Sequence, residues 1–76
     1  MEELLAYLAR QLVDEPDAVR VETVEDDQNV VLRLHVAPDD RGKVIGRQGR
    51  IARALRTVVR ATTARMRQRF VLEIVE

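Results

Sequence analysis

Between residues 2 and 13, apolar side chains recur at Leu5, Leu8 and Leu12, with Leu4 and Val13 widening the stripe, which is the spacing of one face of an α-helix. Pro16 ends it, because proline has no N–H and disfavours helical geometry in the residue before it. Glu2 and Glu3 fall in the first turn, where the helix dipole favours negative charge. From Val19 the period drops to two. Val19, Val21 and Thr23 share one side, and after Asp26-Asp27-Gln28-Asn29 a second run puts Val30, Leu32, Leu34 and Val36 opposite Val31, Arg33 and His35. Two alternating runs about a polar turn predict a hairpin. Ala37-Pro38-Asp39-Asp40 breaks the second strand, and either aspartate suits the N-cap of a short helix running to about Ile45. Helical spacing returns over residues 50–65, with Ile51, Leu55, Val58, Val59 and Thr62 on one face. A last alternation of Phe70, Leu72 and Ile74 predicts a third strand. The order α-β-β-α-α-β predicts a two-layer α+β domain over residues 1–76, its three-stranded sheet covered on one face by three helices. Tyr7 and Phe70, the only aromatics, are expected in the core or at its edge.

Two of the helical segments are joined by Val44-Ile45-Gly46-Arg47-Gln48-Gly49-Arg50-Ile51. Glycine at both ends of a loop permits a tight turn and lets another backbone come to contact distance. Arg47 and Gln48 sit at the exposed tip. The loop runs straight into a helix, so its N–H groups and the positive end of the helix dipole face the same guest, and that suits an anion such as phosphate. Lys43, Arg50 and Arg53 flank it.

Charge sharpens that picture. The chain has 13 basic and 13 acidic side chains and no net charge, which on average argues against a polyanionic partner. The charges are nevertheless sorted. Residues 1–40 carry 11 acidic and 3 basic side chains, whereas residues 41–69 carry 10 basic and no acidic ones. Such a molecule can steer a polyanion to its basic third while the acidic remainder discourages non-specific coating. On the helix after the loop, Arg50, Arg53, Arg56 and Arg60 lie mostly off the apolar face with no acid among them to pair with, unlike the mixed signs of an ordinary solvated helix surface. Arg50 and Arg53, nearest the loop, are the candidates for contact, and the more distant Arg60 is assigned to the solvated face.

The glycine loop in this setting resembles that of the KH domain, in which a G-x-x-G loop clamps the backbone of about four nucleotides. The string from Val44 to Gly49 is similar to the family's I-G-x-x-G motif, and the element order resembles the type II KH arrangement over essentially the whole chain. The resemblance implies a single-stranded RNA whose phosphates lie along Gly46, Arg47, Gln48 and Gly49, with Lys43, Arg50 and Arg53 alongside. It implies a base-binding groove with Val44, Ile45, Ile51 and Leu55 on one wall and the 30–36 strand as the other. With about four phosphates engaged and about three basic contacts, the salt slope for a single strand is expected to be about −2. The small size resembles the bacterial KhpA family, which implies an RNA chaperone or post-transcriptional regulator. It would act as a homodimer or with a larger KH-containing partner of the KhpB type, in a role linked to cell-envelope homeostasis and cell length. A helix this rich in arginine departs from that pattern and implies stronger non-specific RNA binding.

Other classes find less support. There is no cysteine or serine and a single histidine, His35, so no nucleophile–base pair or metal site is expected, and no cofactor. No G-x-x-x-x-G-K-[ST] string occurs. The absence of a long apolar run and of a basic leader points to a cytoplasmic protein with no membrane partner. A protein-interaction module, its basic helix docking an acidic partner, is the competing reading.

Overall fold

A computed structural model describes residues 1–75. Helix α1 spans Glu2–Leu12, strands β1 and β2 span Arg20–Glu25 and Asn29–His35, helices α2 and α3 span Arg41–Ile45 and Arg50–Thr62, and strand β3 spans Arg69–Ile74. The expected order holds. The sheet runs β1-β2-β3, with β1 antiparallel and β3 parallel to the central β2. In-register pairing of Leu32 with Thr23 and Leu72, and of Leu34 with Val21 and Ile74, turns one apolar face toward the helices. Leu5, Val30, Leu32, Leu34, Val44 and Val59 are the largest apolar side chains fully buried there. Truncating one of them, as in Leu32→Ala, costs about 2–5 kcal/mol.

Helix α1 packs on β1, α3 packs on β3, and α2 touches both helices. The contact face of α1 is Leu5, Ala6 and Ala9, and the two alanines bring the helix axis close to the sheet. That choice of face sends Tyr7, on the opposite side of the helix, to 57% exposure instead of the expected core edge. Phe70 does pack against the core.

At the hairpin turn Asp26 Oδ1 accepts the N–H groups of Gln28 and Asn29 at 2.9 and 2.7 Å, the self-bonded turn that aspartate favours. The turn is also tied to the approach to β3, where Arg69 N–H donates to the Gln28 carbonyl at 2.9 Å and the Gln68 amide to the Asp26 carbonyl at 3.0 Å.

Two local expectations change. The helix read over residues 50–65 stops at Thr62, where consecutive threonine hydroxyls donate back to the carbonyls of Val58 and Val59 at 2.8 and 2.7 Å and compete with the helical ladder. Asp40 precedes α2 but makes no capping bond. Its carboxylate, 1% exposed, accepts the N–H groups of Asp14 and Glu15 at 3.2 and 3.0 Å. A long-range bridge between the segment leaving α1 and the base of α2 replaces the local cap.

Candidate nucleic-acid interface

Helix α2 has five residues, too few to stand on its own, so the loop it leads into is positioned from below. Val44, at 0% exposure, anchors it in the core. Asp40 ties its first turn down. Burial works to raise the Asp40 carboxyl, but the N–H groups of Glu15 and Asp14 and the Lys43 ammonium outweigh it and hold it below the ordinary aspartate value. Lys43 belongs to the same node, with Nζ 2.9 Å from Asp14 Oδ2 and 3.6 Å from Asp40 Oδ1. The hydrogen bond to Asp14, and then its charge, hold the ammonium above the ordinary lysine value.

Between α2 and α3 the backbone takes three unusual conformations within four residues. Gly46 sits at φ 76°, ψ 172°, a region open essentially to glycine alone. Gln48, at the tip, is the one described non-glycine residue with positive φ, at 55°, and Gly49 is left-handed at φ 74°. The glycines differ in their surroundings. A Cβ on Gly46 would collide with Cγ1 of Ile51 and lie 2.9 Å from both the Cβ and the backbone nitrogen of that residue, whereas a Cβ on Gly49 would meet nothing within 4 Å. Gly46 thus lets the loop fold down onto α3, and Gly49 supplies only the change of hand. Gly46 and Gly49 donate their N–H groups to the carbonyls of Gly42 and Gly46 at 2.8 and 3.1 Å. No such internal acceptor serves Arg47 or Gln48 among the described residues, and both side chains are exposed.

A crevice opens beside this loop. Ile45, Gly49, Ala52 and Arg56 line its near side, and Val71, Glu73 and Ile74 of β3 its far side. The far wall is therefore β3 rather than the expected 30–36 strand. β2 is the central strand and its Val30, Leu32 and Leu34 are sealed in the core, whereas β3 is an edge. Arg69 and Val75 donate their N–H groups to Gln28 and Leu34 on the β2 side, at 2.9 and 3.0 Å. By the alternation of a ladder, the N–H and C=O groups of Phe70, Leu72 and Ile74 face the free edge. The crevice thus offers apolar surface beside a row of backbone donors and acceptors, a setting that can stack a base and hydrogen-bond its edge.

Of the residues singled out from the sequence, Gly46, Arg47, Gln48 and Gly49 form the loop, Ile45 lines the crevice, and Ile51 packs between the loop and the core. Arg50 and Arg53 stand exposed at the loop end of α3 without lining the crevice. Val44 and Leu55 are core residues with little or no accessible surface, and Lys43 is held by two carboxylates. The sequence places Arg56 on the basic helix face without assigning it to the site, and the β3 residues escaped notice. The sorted charge pointed at Arg56, but the wall could not be found without the parallel pairing of β3.

Among the described residues, no group of side chains could hold a metal ion and no helix is long and apolar enough to cross a membrane. The model of the KhpA/KhpB KH-domain family matches residues 2–74. The RNA-binding protein KhpA of Clostridium acetobutylicum is 51% identical over 75 residues, covering 99% of this chain and 100% of its own. KhpA of Treponema pallidum is 49% identical over 75 residues, covering 99% and 94%, and that of Aquifex aeolicus 47% over 76 residues, covering 100% and 96%. No solved structure matches.

Proposed function

The chain belongs to the KhpA/KhpB family of KH domains, a family of RNA-binding proteins rather than of enzymes, and from that premise we propose that it binds single-stranded RNA through the 46–49 loop and the crevice beside it. The carrying observation is the conjunction of a glycine-only backbone turn with unpaired N–H groups at Arg47 and Gln48 and a ring of arginines that find no acidic partner among the described residues. The loop N–H groups and Arg47 take backbone phosphates, with Arg50 and Arg53 adding charge at the start of α3. Bases enter the crevice against Ile45 and Ile74 and meet the edge groups of β3. A duplex is a poor fit, because A-form RNA withholds its base edges in a deep, narrow groove.

Clamping so few nucleotides gives limited discrimination, since phosphate contacts position a strand and only base contacts specify it. The protein acts in the cytoplasm as one module of a larger assembly, as a homodimer or with a KhpB-type KH protein, and serves as an RNA chaperone or post-transcriptional regulator bearing on the cell envelope and cell length. The outer face of the sheet supports the assembly, because Val24, Val31 and Val71 stand in register across all three strands with no helix over them, and Val24 and Val71 are exposed. The loop tip tests RNA binding. Arg47→Asp with Gln48→Asp removes binding of a labelled single-stranded RNA pool in fluorescence anisotropy while changing stability by no more than about 0.5 kcal/mol. Undiminished binding by that folded variant overturns the reading.

A further inference from the structure

The crevice does not end where a four-nucleotide clamp would. Beyond Arg56, Val71 and Leu72 it continues along α3 and β3 into a second hollow lined by Arg60, Arg67, Arg69 and Met66. From Arg50 to Arg60 the helix alone extends for about 15 Å, at about 1.5 Å per residue, and Arg67 and Arg69 lie in the connection beyond its end and at the start of β3. Arg56 and Arg60 fall within about 40° of one another around α3, at about 100° per residue, and both line the hollow. They occupy the shoulder of the helix that overlooks β3, not its whole solvent side.

Among the described residues, none of Arg56, Arg60, Arg67 and Arg69 is within ion-pair distance of a carboxylate. Among the same residues, the cationic partners in ion pairs are Arg33, His35 and Lys43. The acid that borders the loop end of the crevice, Glu73, is engaged by Arg33 Nε at 2.8 Å. Met66, 54% exposed, interleaves apolar surface with the guanidinium groups. That mixture suits a single strand, whose phosphates need charge and whose unstacked bases need an apolar or planar surface to lie on.

We infer that the bound RNA is longer than the loop clamp accounts for, and that its continuation runs down the α3–β3 crevice to a second phosphate-binding cluster made by Arg60, Arg67 and Arg69. This rests on the RNA-binding reading of the loop. It reassigns Arg60 from the solvated helix surface to the site and gives the arginine excess of residues 56–69 a place along one track. It also makes affinity depend on RNA length.

The test uses the whole chain with a labelled RNA of four nucleotides and one of roughly ten, both of random sequence, each titrated over a salt series. Replacing Arg60, Arg67 and Arg69 together by glutamine leaves binding of the short RNA unchanged. For the long RNA it weakens binding about tenfold or more and flattens the salt slope by about 2, at about 0.7 per phosphate contact. The triple lysine variant keeps the slope, since lysine still binds phosphate as a point charge. Wild-type affinity and slope of the glutamine variant on the long RNA overturn the inference, as does equal weakening on both RNAs, which would place these arginines within the short site. The Arg47→Asp/Gln48→Asp protein separates the two levels. If it still binds both RNAs, the loop reading falls and the extended track falls with it. If it loses both while the glutamine variant behaves as wild type, only the extension is lost.

Discussion

On the outer face of the sheet, Arg33 lies between Glu22 and Glu73, at 3.3 and 2.8 Å, and His35 Nε2 stands 3.1 Å from the same Glu22 oxygen. In the crevice, Arg56, Arg60, Arg67 and Arg69 gather with no carboxylate in reach among the described residues. The first region is electrically closed. The second is held open against repulsion, because Arg56 and Arg60 are one helical turn apart and like charges at that spacing destabilise a helix by a few tenths of a kcal/mol, roughly 0.2–0.5. Lys43 shows that this chain can neutralise a cation near the loop when the fold uses one. The four arginines of the hollow, with no carboxylate in reach among the described residues, are the charges that the proposed extended track assigns to phosphates.

The contrast breaks most severely if the charge on α3, at the crevice and just outside it, is reversed in sign. Arg53→Glu with Arg56→Glu is expected to lower RNA affinity by more than about 100-fold, since like-charge juxtaposition costs several kcal/mol, with thermal stability equal to wild type or slightly higher. Anisotropy and thermal melting together check both halves. A charge-neutral change at the loop comes next. Gly46→Ala is expected to cost about 3 kcal/mol or more, combining backbone strain with a collision at Ile51. Gly49→Ala meets open space and is expected to cost only about 1–2 kcal/mol for the left-handed conformation. Chemical denaturation ranks the two, and equal costs would contradict the packing difference between them.

Acid separates the two regions in another way. Asp40, held low by its N–H donors and Lys43 against its burial, contributes stability that is fully present above the unfolded-state value of about 3.9, and that is lost as pH falls further through the lowered native value. Glu22, held low by its hydrogen bond with His35 and by Arg33, adds to the same acid limb. Unfolding followed over an acid series is expected to lose much of its dependence in Asp40→Asn, while RNA binding by the wild type stays level between about pH 5 and 8, above the range in which Asp40 titrates. The smallest effect belongs to Glu73→Gln. It removes one partner of an exposed pair, so the melting temperature is expected to move little and RNA affinity to hold or rise slightly as a negative charge leaves the crevice rim.

The parts of this arrangement that were legible in the sequence are those encoded by near neighbours. Alternation at Val30, Leu32 and Leu34 gave the central strand, and two glycines three apart between helical segments gave the loop. Sorted charge gave the basic third. What escaped depends on residues far apart in the chain. Asp14 and Lys43 are 29 positions apart, and nothing local to Lys43 reveals that it is already partnered. Asp40 obeyed the local rule for a cap until a distant backbone offered it two N–H groups. The crevice wall needed the parallel register of β3 against β2, which no periodicity specifies. Val44 is apolar and adjacent to the loop, and only the packing of α2 shows that it points inward.

That register has a kinetic consequence. β2 and β3 are joined by a crossover, residues 36–68, that contains α2, the glycine loop and α3, so one wall of the candidate site lies inside a non-local connection and the other, β3, lies at its far end. The β1–β2 hairpin closes across a short turn, and such local contacts form early, whereas parallel pairing across a long connection waits for its loop entropy to be overcome. A chain caught partway through folding would have the hairpin and no crevice. The proposed RNA-binding crevice is therefore expected to form only as β3 pairs with β2 and the sheet closes.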